Sequence, residues 1–146
     1  MGYRSEVGWV LRFPSEEKLE NYTNLLRYKY DEHINEALQE IQRASKDGDH
    51  LLFFHDDWLK WYDDFPDVKA HHFIMEHAVE LYEEDEEGGV GWRFLRVGEE
   101  QNDIEENSGG DDEELWQYIY TTTHISNNLP IGTPVVEVET KKGETA

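Results

Sequence analysis

Residues 37–54 read ALQEIQRASKDGDHLLFF, and how this stretch is divided decides the fold. Ala37, Leu38 and Ile41 continue a spacing of three and four begun by Leu19, Tyr22, Leu26 and Tyr30. That period predicts one long amphipathic helix from Glu16 to about Ala44. Lys46 then supplies a basic end and Gly48 a helix stop. Leu51, Leu52, Phe53 and Phe54 follow with apolar residues on both parities, the pattern of a central strand, which is expected to run to about Tyr62.

Working outward, Tyr3, Ser5, Val7, Trp9, Leu11 and Phe13 alternate with Arg4, Glu6, Gly8 and Arg12, the period of a half-buried strand. Pro14 ends it and Ser15 is placed to cap the helix. Downstream, Asp64 and Pro66 open a second helix, Asp67 to about Tyr82, whose inner stripe is Val68, Met75, Val79 and Tyr82. A third strand runs through Val90, Trp92 and Phe94 to Val97. A fourth spans Leu115 to about Ile125, beyond an acidic loop, Glu99 to Glu114. The expectation is an α+β domain over residues 1–127, with element order β-α-β-α-β-β. Its single mixed four-stranded sheet carries two helices on one face and closes with a hairpin. After Asn127 the tail, residues 128–146, either adds an edge strand through Val135, Val136 and Val138 or hangs loose.

The chain has 146 residues, no Cys, 13 basic and 34 acidic residues, and a formal net charge of −21. Disulfides and thiolate metal sites are excluded. No apolar run approaches the roughly 20 residues of a membrane span, and no signal-peptide pattern opens the chain. Glu6 stands where myristoylation wants Ser or Thr. These features predict a soluble intracellular protein. Direct contact with nucleic acid or acidic lipid, which needs Lys and Arg, is not expected.

The charge is concentrated. Residues 1–60 hold 12 acids and 8 bases, a net of −4; residues 61–120 hold 19 acids and 3 bases, a net of −16; residues 121–146 net −1. Solubility alone needs roughly 2–8 charges on a small domain. Within the acidic half, residues 55–68, HDDWLKWYDDFPDV, mix Trp58, Trp61 and Tyr62 with Asp63, Asp64 and Asp67; a second run is Glu83, Glu84, Asp85, Glu86 and Glu87. Carboxylates on a strand or helix recur at about 3–6 Å, close enough to imitate a phosphate row. Aromatic side chains beside them would serve as anchors. Acid runs are more often solvated loops, however, and tryptophans more often core.

Other constellations are weaker. Asp103, Glu105, Asn107, Asp111 and Glu114 fall on calcium-loop positions, but Ser108 stands where that loop requires Gly. His72 and His77 are five apart and share no helix face, so His71, His72, Glu76 and His77 make no zinc motif. His50 and His55, with Asp56 and Asp57, lack anything that fixes their distance to further ligands. No Cys, G-x-S-x-G, P-loop or dinucleotide fingerprint is present, so no catalytic residue, metal site or cofactor is assigned.

Three stretches, MGYRSEV at 1–7, KWYDDFPDV at 60–68 and WRFLRVGEEQNDIEE at 92–106, resemble a group of small acidic proteins of tailed bacteriophages and prophages. Most of that group have no assigned function; they open M-G-Y-R-S-[DE]-V. The likeness covers about residues 1 to 125 and brings no catalytic residues. It implies an anti-defence role, anti-CRISPR or anti-restriction, in the cytoplasm of an infected host. The partner would be the basic surface of a host nucleic-acid-binding complex, and a homodimer is compatible. Two rivals remain: a binder of a small nucleotide signal, with Arg4, Arg12, Arg93 or Arg96 facing phosphate, and a metal-binding protein using the acidic loop.

Overall fold

The computed structural model describes residues 2–29, 32–85, 88–100, 102–121 and 124–135. Strand β1, Ser5–Phe13, forms where its alternation predicts a strand, but it lies at the centre of the sheet and is buried on both faces rather than half-buried. Ser15 then accepts a hydrogen bond from Lys18 N–H on its hydroxyl (3.2 Å) and caps α1, Glu16–Lys29. The long helix expected to reach Ala44 does not form. A short α2, Glu32–Leu38, is followed by β2, Gln42–Lys46, and β3, Asp49–Leu59.

The reason for the difference lies at Asp47 and Gly48. Both have positive φ, 53° and 88°, and Lys46 pairs with Asp49 across them. Asp-Gly with two left-handed residues is the preferred two-residue hairpin turn, because its twist matches that of the strands it joins. The glycine expected to end a helix instead reverses a strand. Residues 42–46 have little strand preference of their own. They are held extended by the ladder to the apolar residues 49–53.

Helix α3, Pro66–Tyr82, starts one residue before the expected position, with proline in its first turn, where its missing N–H costs nothing. Strand β4, Gly91–Gly98, pairs with β1 on the side away from β3. The expected acidic loop is largely a strand, β5, Ile104–Gly110, paired with β4. The expected fourth strand is broken into a 3-10 turn at Leu115–Gln117 and two short strands, β6, Ile119–Thr121, and β7, Ile125–Asn127, which among the described residues pair with each other alone. A two-residue strand β8, Thr133–Pro134, pairs with β2, so an edge strand is added just before the expected Val135. Val136 and Val138 lie outside the described residues.

The sheet is therefore not a mixed four-stranded one. It has six strands in the order β5-β4-β1-β3-β2-β8, every neighbouring pair antiparallel, with β6-β7 as a separate ribbon. Three helices, not two, cover one face. The core connectivity β-α-β-β-α-β with order β4-β1-β3-β2 makes two interleaved split β-α-β units, the ferredoxin-like arrangement, and β5 and β8 extend it at its edges. The class remains α+β.

Parity assigns each strand residue to one of two cores. Val7, Trp9, Leu11, Phe13, Leu52, Phe54, Trp92 and Phe94 point to the helices, meeting Leu19, Tyr22, Leu26, Ile74, Met75 and Ala78. The Tyr22 hydroxyl donates to Ile74 C=O (2.6 Å) and ties α1 to α3. Val10, Leu51, Phe53 and Leu95 point the other way, onto Leu115, Tyr118, Ile119 and Ile125. The segment from 115 to 129 thus does for the second face what the helices do for the first. This explains why β3 is apolar on both parities.

Candidate functional site

Two surfaces present functional groups. The first is the outer side of the helical layer. Asp63, Asp64 and Asp67 are exposed at the N-terminus of α3, and Glu83, Glu84 and Asp85 are exposed at its C-terminus. The 17 residues of the helix put these two groups about 25 Å apart. Glu76 and Glu80 are exposed between them. Beside α3, α2 presents Glu32 and Glu36, and α1 presents Glu16, Glu17 and Glu20. Some of this charge is compensated: Arg43 reaches Glu20 (2.9 Å) and Glu16 (3.7 Å), and Lys18 pairs with Asp85. Carboxylates at the N-terminus of α3 gain from the helix dipole, whereas Glu83, Glu84 and Asp85 at the other end oppose it. Glu86 and Glu87 lie outside the described residues. By contrast, residues 115–135 contain no Asp or Glu, and Trp116, Tyr120 and Ile131 are exposed there.

The three aromatic anchor candidates separate. Trp61 is buried, stacked on Phe54 and Phe94 and tilted against His71, so it belongs to the core and offers nothing to a partner. Its period neighbours in sequence gave no sign of this, because β3 ends at Leu59 and the chain turns inward at Trp61. Tyr62 is half-buried; its hydroxyl accepts Tyr3 N–H (2.6 Å) and its ring meets Phe65 edge-on. Trp58 alone is largely exposed, at 59%, and it lines the second surface rather than the acidic one.

That second surface is a groove of about 820 Å³ at the end of the sheet. Its walls include Arg4, Glu6, Trp58, Val97, Ile104 and His124, with Asp57, Glu99 and Glu100 at the rim. Glu6, on β1, is the best-held carboxylate there: its side chain is only 12% exposed. Its Oε1 accepts Ile125 N–H (2.9 Å), and its Oε2 lies 2.8 Å from His55 Nε2. Asp57 Oδ1 is 3.6 Å from the same imidazole nitrogen, and His124 Nδ1 is 3.7 Å from Glu6 Oε1. Among the described residues, Glu6, His55 and Asp57 form the group able to hold a metal ion. The sequence singled out His55 and Asp57 on β3 but not Glu6, because only the β1–β3 pairing brings that carboxylate to them.

The other candidate ligands are otherwise engaged. Arg96 donates to Asp103 through two nitrogens (3.2 and 2.8 Å), to Glu105 (3.0 Å) and to Ser5 Oγ (3.1 Å). Those hydrogen bonds, Asp103 first, raise the Arg96 pKa, and Arg96, followed by the Tyr3 hydroxyl, lowers that of Asp103. Asp103 and Asp111 flank the extended β5 and are separated by more than about 20 Å. The calcium-loop donors therefore do not converge. Arg12 donates to the carbonyls of Asp111 and Glu113, and Arg93 to Ile119 C=O. Only Arg4 of the four candidate arginines lines the groove, and the carboxylates of Glu6, Asp57, Glu99 and Glu100 surround it. Such a site repels phosphate.

His71 and His72 serve the core. Trp9 Nε1–H donates to His71 Nδ1 (3.1 Å), and His71 Nε2–H donates to Glu40 Oε1 (3.1 Å), which fixes one neutral tautomer. His72 lies against Phe94 and Trp61, and burial lowers its pKa. No described helix is long and apolar enough to cross a membrane. Comparison with protein-family models, curated proteins and solved structures found no match.

Proposed function

We propose that this protein is a non-enzymatic, phage-encoded inhibitor that imitates nucleic-acid charge. Its partner is the cationic channel of a host defence protein, of the CRISPR or restriction type, that binds nucleic acid. The observation that carries the reading is the density of exposed carboxylates on the helical face. The outer side of the helices bears exposed carboxylates along and beside α3, while the segment over the opposite sheet face bears none. A field of one sign on one face steers encounter with a basic groove and strengthens as salt falls. The resemblance to small acidic phage proteins supplies the host setting. Trp61 has no part in the contact, and carboxylates carry it.

The test is capture of partners from a host lysate on the immobilised protein at low and at high salt, followed by competition with duplex DNA. Binding should be lost at high salt and displaced by DNA. Single carboxylate changes should cost little, about 0.2–1 kcal/mol each. Neutralising Asp63, Asp64 and Asp67 together, or Glu83, Glu84 and Asp85 together, should abolish capture. Capture that survives both cluster variants at full strength sinks the reading.

A further inference from the structure

We propose that Glu6, His55 and Asp57, with the exposed His124 turning in as a fourth ligand, form a binding site for one divalent transition-metal ion of the zinc class. The ion would pin the β6–β7 connection to the sheet. The donor set is two imidazoles and two carboxylates, the mixed nitrogen and oxygen ligation that zinc and its neighbours accept and that magnesium and calcium do not favour.

Spacing supports the assignment. Zinc bonds of about 2.0–2.1 Å at tetrahedral angles place ligand atoms about 3.3 Å apart. The observed separations are 2.8 Å for Glu6 Oε2 to His55 and 3.6 Å for His55 to Asp57, which bracket that value; His124 Nδ1 lies 3.7 Å from the other Glu6 oxygen and would turn in to complete the set. The ligand atoms of Glu6, His55 and Asp57 all lie within 4.8 Å of one another. An ion could settle among them with side-chain rotations alone.

The site is also built, in the sense that its central ligand is fixed. Glu6 sits on the innermost strand, its side chain is nearly buried, and Ile125 N–H holds its second oxygen. Metal-binding carboxylates are oriented in this way by outer hydrogen bonds. Asp57 and His124 are exposed at the mouth of the groove, which gives an ion its way in. Because His124 lies between β6 and β7, a bound ion would add a link between this ribbon and the sheet. The ribbon otherwise rests on apolar contacts and on hydrogen bonds from Ile125 to Glu6, Arg93 to Ile119 and Thr121 to Glu106. Among the described residues the remaining acids lack this arrangement: those on the helices are exposed carboxylates without a pair of imidazoles between them.

The test is titration of the full chain, stripped with chelator, with Zn²⁺ by calorimetry and with Co²⁺ by visible absorption, in moderate salt and excess Mg²⁺. One saturable equivalent is expected, with a tetrahedral-type Co²⁺ band and a rise in melting temperature. Glu6→Gln and His55→Ala should each weaken binding by at least about tenfold. Asp57→Ala and His124→Ala, at exposed positions that leave the core intact, should each weaken it measurably. A variant with Asp63 and Asp64 changed to Asn should bind as the parent does. Absence of a saturable equivalent overturns the proposal and leaves a plain Glu6–His55 ion pair. So does binding that Asp57→Ala and His124→Ala leave unchanged, or that the Asp63/Asp64 variant loses.

Discussion

Two tryptophans in one core should respond very differently to the same substitution. Trp9 and Trp61 are 0% and 8% exposed and both belong to the cluster beneath the helices. Changing either to Phe removes the same atoms, so the losses from transfer and cavity are similar and largely cancel in the comparison. The polar atoms do not cancel. Trp9 Nε1–H donates to His71 Nδ1, whose side chain is 2% exposed, and Trp9→Phe would strand that acceptor at a cost of about 1–3 kcal/mol. Trp61 Nε1 is buried with no hydrogen-bond partner, so Trp61→Phe relieves a desolvated donor and recovers a similar amount. Trp9→Phe should therefore be the more destabilising by about 2–6 kcal/mol. Urea unfolding followed by circular dichroism, with equal slopes required for both variants, measures this directly. Equal losses, or a larger loss for Trp61→Phe, would refute the hydrogen-bond assignment on which the argument stands.

Two further predictions concern backbone space and acid. A Cβ at Gly91 would lie 2.0 Å from the Asp111 carbonyl oxygen, whereas one at Gly48 meets nothing within 4 Å and suffers only its φ of +88°; Gly48→Ala should cost about 1 kcal/mol and Gly91→Ala about 3 kcal/mol or more, compared by thermal unfolding. Burial lowers the His72 pKa below 6.5, so the unfolded chain takes up that proton first as pH falls. The stability this represents is complete above about pH 6.5 and drains away as pH drops toward the folded value. The gap between the parent and His72→Phe should shrink from pH 7.5 to 5.5, and a constant gap would show that His72 is not desolvated.

The elements legible in the sequence were those with a strong local period. The alternation around Val7, Trp9 and Leu11 gave β1, and the stripe through Val68, Met75 and Tyr82 gave α3 within a residue at its start. The elements missed are stabilised by partners, not by their own composition. β2, QRASK, and β5, IEENSGG, have almost no apolar alternation; each is a strand because an apolar neighbour offers it a ladder. Charged, sparse strands of this kind are what sheet edges tolerate. Asp47-Gly48 carried a hairpin signal, but a glycine after a basic residue also suits a helix end, and the helical spacing through Ile41 tipped the reading. The carboxylates of α3 were visible as candidates from the start. Glu6 and His124 were not, since only the closed fold brings these residues, 118 positions apart, together.

The placement of β1 between β3 and β4 has a consequence for synthesis. The most apolar strand leaves the ribosome early, yet its two flanking partners are completed only at Leu59 and Gly98. At roughly 5–20 residues per second, it waits several seconds with Trp9, Leu11 and Phe13 unprotected. Nascent chains halted before β4 should bind chaperones and fall to proteases, and release of that protection should coincide with emergence of residues 91–98.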